Sequence, residues 1–307
     1  MRHACFGGEY NEVPKSDIIL YSDSIIPQAS NNELSSYPEV QIELGYEEQS
    51  ESMLPIISCD LSTEDILTLN NTTAKKINAS QLLMTKYDFG YIKDSNDPLV
   101  LIIHTHATEC YSRENSTYYD PDSSTRSNDE KINMIAVGKV LADTLNNSGI
   151  NTLHCTVQHD AESYRDSYPQ SAKSIKEYLQ KYPSIRYVLD IHRDAVMYES
   201  GAKVRAVTEI EGKEVAQIML LSGTNAGGAD FPHWESNLSF ALRLADKLSC
   251  DYPDLLRPIA VRGASYNQQY TTSSLLIEIG TDGNTLTQAK NSAVILGNAL
   301  AKLIKGE

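Results

Sequence analysis

A chain of 307 residues is long enough for one sizeable α/β domain with a smaller segment, or for two domains. Its formal net charge of −15 argues against a nucleic-acid or anionic-membrane partner, because phosphate binding needs a surplus of lysine and arginine. Five scattered cysteines, with no Cys-x-x-Cys pair, argue against a disulfide framework and against a thiolate zinc site.

The first 60 residues predict an acidic, flexible arm, because they are rich in aspartate, glutamate, serine and asparagine and show little hydrophobic periodicity. Residues 61–95 predict an approach segment with a weak helix over 63–69, and residues 96–307 predict the folded domain. No apolar run approaches the roughly 20 residues that span a bilayer, and the chain start lacks the apolar core of a signal peptide. The sequence as given therefore predicts a soluble polypeptide.

An apolar run at residues 99–103 predicts a strand that is buried on both faces, as in the middle of a parallel sheet. His104, His106 and Glu109 follow it within six positions. Open α/β sheets place their chemistry just beyond the carboxyl ends of such strands. The sequence therefore predicts a metal or acid/base centre at this point.

Strand and helix patterns alternate along the rest of the chain. This alternation predicts a layered α/β domain with a largely parallel sheet. The predicted helices are 132–149, 171–182, 234–248 and 284–304, and the predicted strands are 152–157, 186–192, 203–210, 215–221, 259–261 and 274–279. The strands 203–210 and 215–221, joined through Glu211 and Gly212, predict a hairpin or two adjacent strands.

Two further strands end in, or contain, ionisable side chains that a buried strand does not need. The strand at 186–192 carries Asp190 and His192 near its end and is followed by Arg193 and Asp194. The strand at 274–279 carries Glu278 between apolar neighbours. Because an unpaired buried charge is costly, we expect these side chains to be partnered or bound to a metal.

The residue types suit zinc, which accepts imidazole and carboxylate ligands and keeps one position open for water at catalytic sites. His106 and Glu109 have the His-x-x-Glu spacing of several zinc peptidases, and His192 would be the third ligand. His104 lies two residues before His106, so on a strand both would point to the same face. His104 either replaces His106 as a ligand or supports it from behind, and the sequence leaves this choice open.

Glu278 would act as the general base, with its apolar flanks raising its pKa toward the working pH. Arg193 is placed to stabilise an oxyanion or to bind a substrate carboxylate.

Other residues are eligible for some of these roles. His154 and His159 follow another predicted strand, but no acidic pair accompanies them in a strand-end motif. Asp129 and Glu130 stand at the start of a predicted helix, where acidic residues are ordinary, and either could supply the carboxylate ligand in place of Glu109. Cys110 has no dedicated base beside it in the sequence and does not predict a nucleophile.

Six short motifs stand in a recognisable order: HTHATECY at 104–111, DEKIN at 129–133, DIHRD at 190–194, WESN at 234–237, YNQ at 266–268 and SLLIEIG at 274–280. Their order and wording resemble the stage II sporulation protein P family of spore-forming bacteria, over roughly residues 85–305. The resemblance implies a single catalytic domain with a three-layer α/β/α fold, similar to the zinc-dependent N-acetylmuramoyl-L-alanine amidases. It also implies removal of stem peptides from muramic acid, and cutting of peptide cross-links in peptidoglycan, during engulfment.

The resemblance places the family's first motif on His104, His106 and Glu109, its second on His192 with Arg193, and its acidic strand on Glu278. It implies Zn²⁺ as the cofactor, peptidoglycan as the substrate, and the stage II sporulation proteins D and M as partners. Typical members are membrane-anchored and act outside the cytoplasm, although no anchor is visible in this sequence.

Two rival interpretations remain at this stage. One is a catalytically idle wall-binding or scaffolding module of the same fold. The other is a zinc carboxypeptidase, suggested by the His-x-x-Glu spacing, in which Arg193 would be the nearby candidate for capturing the terminal carboxylate of the substrate.

Overall fold

The computed structural model describes residues 18–21 and 53–307. Its α-helices are α1 Ala79–Met84, α2 Met134–Asn147, α3 Ser167–Lys181, α4 Trp234–Asp251 and α5 Leu286–Lys305. Its strands are β1 Ile18–Tyr21, β2 Leu54–Cys59, β3 Leu69–Asn71, β4 Val100–Ile103, β5 Tyr118–Tyr119, β6 Thr152–His154, β7 Tyr187–Tyr198, β8 Lys203–Ile210, β9 Lys213–Ala216, β10 Ile218–Gly223, β11 Ile259–Arg262 and β12 Ser273–Thr281.

Seven strands form the central sheet, in the order β3-β11-β10-β12-β7-β4-β6. Neighbouring strands in this sheet are parallel, except that β10 runs antiparallel to β12. The predicted largely parallel sheet is therefore confirmed. Strand β4 is fully buried and pairs in parallel on both sides, which is what its uninterrupted apolar sequence predicted.

The sheet is covered by helices on both faces, which gives the three-layer α/β/α arrangement. On one face, apolar side chains of α2, α4 and α5 pack on alternate residues of the central strands, such as Ile102 and Ile277. On the other face, Ile175 of α3 packs on Leu101 and Ile103 of β4. Because successive strand residues point to opposite faces, one apolar strand serves both layers.

Local sequence explains where helices α2 and α5 begin. Asn133 caps α2, with its side chain accepting a hydrogen bond from the Ile135 backbone N–H at 3.0 Å. Thr285 and Gln288 form a reciprocal capping box at the start of α5. Both helices therefore begin at defined residues beside the carboxyl edge of the sheet.

The long strand β7 leaves the central sheet at its end. Residues Ala195–Tyr198 pair with β1 and then meet β8, which carries a smaller sheet with β2, β5 and β9. The turn between β8 and β9 is formed by Glu211 and Gly212, both at positive φ, as two-residue hairpin turns require. The turn lies where the sequence predicts it, but the predicted strand 215–221 is divided at Gln217 between β9 and β10.

The structure differs from the sequence-based expectation before residue 96. Most of the predicted arm lies outside the described residues, but residues 54–59 form β2, which pairs in parallel with β8. The predicted helix at 63–69 is wrong, because the Asp65 side chain accepts a hydrogen bond from the Leu67 backbone N–H at 2.9 Å and holds a turn instead. None of the helices in the described ranges is both long and apolar enough to cross a membrane.

Candidate active site

The site lies at the edge of the sheet where β4, β7 and β12 deliver their carboxyl ends. Because β7 pairs in parallel with both other strands, these ends lie side by side. His106, Glu109, His192 and Glu278 meet there, and each exposes only 1% of its surface. Three separated segments of the chain therefore bring these four side chains together, and the roles predicted for them stay predictions.

His106 stands in the turn after β4 and contacts aromatic rings on two sides. Its ring stacks on Tyr164 at a centroid distance of 4.3 Å and meets the ring of His192 edge-on at 5.3 Å. Burial, followed by the positive charge of His192, lowers the pKa of His106 to about 2. His106 is therefore a neutral imidazole at neutral pH, which is the form that ligates metals.

Glu109 joins the turn after β4 to strand β7. Its Oε2 atom lies 3.6 Å from His192 Nδ1 and accepts a hydrogen bond from the Arg193 backbone N–H at 3.3 Å. Its Oε1 atom lies 3.7 Å from the guanidinium of Arg126. These contacts hold the carboxylate against the imidazole of His192.

Asp190 orients His192 from the opposite side of the ring. Its Oδ1 atom lies 3.0 Å from His192 Nε2 and accepts a hydrogen bond from the Thr105 backbone N–H at 2.8 Å, while its Oδ2 atom accepts one from the Thr105 hydroxyl at 2.6 Å. Burial alone would lower the pKa of His192, but Asp190 and then Glu109 raise it to about 10. With Nε2 held by Asp190, Nδ1 is the nitrogen presented to Glu109, a carboxylate–histidine arrangement that is common behind metal sites.

Glu278 lies beside His192, at the same register position of the neighbouring parallel strand. Burial raises the pKa of Glu278 to about 8, and the negative charge of Asp194 adds to this effect. A carboxyl group whose pKa lies near neutrality can both accept and return a proton, which suits the predicted general base.

His104 lies away from these residues. Its Nδ1 contacts the Ile191 carbonyl at 2.9 Å and its Nε2 contacts His154 Nε2 at 2.9 Å, against the backbone of Gly138 on α2. Since a carbonyl only accepts, Nδ1 carries the proton, Nε2 is the acceptor, and the N–H of the second contact belongs to His154. His104 thus fastens the end of β4 to the β7 residue that precedes His192. Strand β4 ends at Ile103, so the strand alternation that predicted a shared face for His104 and His106 does not apply.

Arg193 contacts the carboxylate of Glu109, with Nη1 3.9 Å from Oε1. Its side chain is fully buried, and it donates hydrogen bonds to the carbonyls of Cys110 at 3.1 Å and Thr125 at 3.2 Å. Its guanidinium therefore anchors the loop after β4 beside Glu109, and the role predicted for it toward an oxyanion or a substrate carboxylate stays a prediction.

The alternative residues considered from the sequence also have structural roles. Asp129 and Glu130 are exposed, and Asp129 caps a turn through the Lys131 backbone N–H at 2.9 Å. His159 contacts the His104 carbonyl at 2.7 Å. Burial raises the pKa of the Cys110 thiol, which makes it a poor nucleophile.

Asp160 is a site residue that the sequence analysis missed. It accepts hydrogen bonds from the Thr108 backbone and hydroxyl and from Arg126 at 3.0 Å, and its Oδ2 lies 3.9 Å from His106 Nδ1. Its position after β6, the parallel neighbour of β4, was the available signal. Arg126 in turn lies over the ring of Tyr164 at 4.6 Å, closing the outer side of the site.

The donor types of the site fit zinc. His192 Nδ1 and Glu109 Oε2 are 3.6 Å apart, close to the roughly 3.4 Å between two ligands of a tetrahedral zinc. His106 Nδ1 is buried without a hydrogen bond to any described residue. In the part of the chain that the structure describes, no three His, Cys, Asp or Glu side chains already stand in ligating geometry. The fit of the site to zinc therefore rests on the types of donor atom present, on the distance between His192 Nδ1 and Glu109 Oε2, and on the buried His106 Nδ1.

Known proteins share parts of this sequence and fold. The chain is 28% identical to stage II sporulation protein P of Bacillus subtilis (strain 168) over 206 residues, 64% of this chain and 48% of that protein. It thus spans about half the length of that curated relative.

Solved amidase structures resemble the structure of this chain only weakly. The CwlD amidase from Clostridioides difficile, solved with the GerS lipoprotein, has a TM-score of 0.42 and 14% identity over 68% of this chain and 100% of that one. The N-acetylmuramoyl-L-alanine amidase AmiC2 of Nostoc punctiforme has a TM-score of 0.39 and 10% identity over 69% and 97% of the two chains. The sequence also matches the family described as Stage II sporulation protein P (SpoIIP), over residues 12–301. The chain therefore belongs to the stage II sporulation protein P family.

Proposed function

We propose that this protein is a zinc-dependent peptidoglycan hydrolase that cleaves the amide between N-acetylmuramic acid and L-alanine. The observation that carries the proposal is the placement of Glu278 beside His192, with Glu109 and His106 at the same sheet edge. Membership of the family supports the choice of peptidoglycan as the substrate.

His106, Glu109 and His192 are the residues that would hold the ion. His192, which the neighbouring carboxylates keep protonated without a metal, would release its Nδ1 proton when the ion binds. Bound there, zinc would polarise the substrate carbonyl and lower the pKa of a water molecule to about 7. Asp190 keeps the His192 ring in the orientation that directs Nδ1 to the site. Arg126 contributes by holding both Glu109 and Asp160 in place.

Glu278 moves the proton in this proposal. Its carboxylate takes a proton from the attacking water and then returns it to the nitrogen of the leaving L-alanine amine. Burial among apolar strand residues keeps bulk water from competing for this proton. The same proton transfer would serve cleavage of a peptide cross-link, so endopeptidase activity belongs to the proposal.

The proposed setting is the spore-forming cell during engulfment, outside the cytoplasm, as the family membership suggests. Stage II sporulation proteins D and M are the partners proposed from the same resemblance. The negative charge of the chain, −15, is consistent with a substrate that is not a nucleic acid.

The test is product analysis by mass spectrometry after incubating purified sacculi with the zinc-loaded protein, with and without a chelator. Amidase activity releases peptides with a free L-alanine amino group, and leaves glycan strands without stem peptides. Loss of cross-links while every stem stays on the sugars would show endopeptidase activity alone and would contradict the proposed cleavage at L-alanine. Release of single residues from peptide ends would indicate a carboxypeptidase, and no release at all would indicate a wall-binding module; either result would contradict the proposal.

A further inference from the structure

Tyr168 carries a buried hydroxyl whose presence the site described so far does not explain. The residue lies in the first turn of α3, and its ring meets His106 edge-on at a centroid distance of 5.7 Å. Its hydroxyl oxygen is shielded from solvent and has no hydrogen-bond partner among the described residues. Leaving a buried hydroxyl unpaired costs about 1–3 kcal/mol, so a hydrogen-bonding group that arrives only with a ligand would account for it.

The YNQ motif at residues 266–268 holds this tyrosine in place. Asn267 donates hydrogen bonds from Nδ2 to the Tyr168 carbonyl at 2.8 Å and to the Ser171 hydroxyl at 2.9 Å. Tyr266 packs its ring against Tyr168 at 6.0 Å, and both Tyr266 and Asn267 have positive φ values. The left-handed backbone conformation is energetically unfavourable for a non-glycine residue. Two such residues in succession indicate that the surrounding contacts hold this turn in a strained conformation.

The third residue of the motif fastens the same turn to the sheet. Gln268 accepts a hydrogen bond from the Gly223 backbone N–H at 2.9 Å and donates one to the Leu221 carbonyl at 3.0 Å. Both partners lie on β10, the neighbour of the strand that carries Glu278. The turn therefore fixes Tyr168 relative to the strands that form the site.

We propose that Tyr168 is a further catalytic residue, whose hydroxyl donates a hydrogen bond to the oxygen of the scissile carbonyl as negative charge develops there. This inference rests on the function proposed above. The hydroxyl makes and breaks no covalent bond, and its proton stays on the phenol throughout.

The hydroxyl of Tyr168 is shielded from solvent. A neutral donor in a shielded position is the type of group that stabilises an oxyanion, because its hydrogen bond strengthens as the charge appears.

The test compares zinc-loaded Tyr168→Phe with the unaltered protein on disaccharide-peptide fragments of peptidoglycan. Phenylalanine keeps the ring that packs on His106 and removes only the hydroxyl. We expect kcat to fall about 100-fold, as on removal of one oxyanion donor, with KM changed by less than about twofold. Tyr178→Phe, on the same helix but half-buried against the core under α3, is the matched control and should retain full activity.

Each other outcome overturns the inference. A kcat of Tyr168→Phe within about threefold of the unaltered protein, or a raised KM with kcat unchanged, would show that the hydroxyl does not act in the transition state. Loss of zinc or of the folded circular dichroism spectrum along with kcat would show a structural role. Failure of the unaltered protein to cut the fragments would overturn the proposed function as well, so the two failures are distinguishable.

Discussion

Glu278 of β12 lies at the same register position as His192 of the parallel neighbour β7. Paired residues of adjacent strands project to the same face of a sheet, so the carboxyl group and the imidazole share one small volume. Two carboxylates, Asp190 and Glu109, occupy the two sides of the His192 ring. The acid that is to move a proton and the imidazole that is to hold an ion are thus fixed by strand pairing, which is difficult to perturb without unfolding the sheet.

Replacement of Glu278 by glutamine should abolish turnover and leave the metal in place. Glutamine has nearly the same shape but cannot accept the proton, and general base catalysis typically contributes 10²–10⁴-fold. Glu278→Gln should therefore lose about that factor in kcat on peptidoglycan fragments while keeping one zinc per chain by elemental analysis. Glu177→Gln, at an exposed position of α3, is the control. Near-normal activity of Glu278→Gln would show that the base is elsewhere.

The Glu278 carboxyl group should also make the stability of the folded protein depend on pH. Its pKa is about 8 in the folded, metal-free protein and about 4.5 ordinarily, because burial disfavours the charged form. Between these values the folded state retains a proton that the unfolded state has released, so stability falls as pH rises through this window. The decrease in Tm of the chelated protein from pH 5 to pH 8 should be larger for the unaltered chain than for Glu278→Gln. Equal decreases would contradict the burial argument.

Substitutions of the two histidines of the first motif should have different effects on zinc binding. His106→Ala should lose zinc, because His106 faces His192 across the site. His104→Gln should retain stoichiometric zinc but destabilise the fold by about 1–3 kcal/mol, because it breaks the contacts to Ile191 and His154. Elemental analysis and thermal unfolding of both variants provide the measurement. Loss of zinc from His104→Gln in a folded protein would reverse the assignment.

Asp190→Asn tests the orientation of His192. The change removes the carboxylate 3.0 Å from Nε2, and loss of such an outer partner typically weakens metal binding 10–100-fold. Zinc affinity measured by competition with a chromophoric chelator should fall by that factor. Asp143→Asn, on the exposed side of α2, is the matched control and should bind zinc like the unaltered protein. Unchanged affinity of Asp190→Asn would mean that Nδ1 of His192 is not held for the metal.

Local patterns were sufficient where burial and spacing decide the structure. The run at 99–103 could only be a strand buried on both faces, and polar residues at strand ends pointed to the edge where His106, His192 and Glu278 meet. The hairpin through Glu211 and Gly212 was equally predictable from its turn residues.

Long-range pairing accounts for what the sequence did not reveal. Residues 54–59 join the sheet only through β8, more than 140 positions away, and Asp160 enters the site only because β6 lies beside β4. The contacts of Arg193 with the Cys110 and Thr125 carbonyls and with Glu109 were likewise not predictable from its sequence position, because they depend on how the loop after β4 folds back on β7.

His106, Glu109 and His192 are proposed to hold one zinc ion beside Glu278. The decisive experiment is a crystal structure of the zinc-loaded protein, with anomalous scattering recorded above and below the zinc edge. We expect one peak about 2.0–2.2 Å from a donor atom of each of the three residues, with Glu278 close by but not ligated. A peak between His104 and His154, or no peak at this edge of the sheet in a crystal of the zinc-loaded protein, would show that these three residues do not hold the ion.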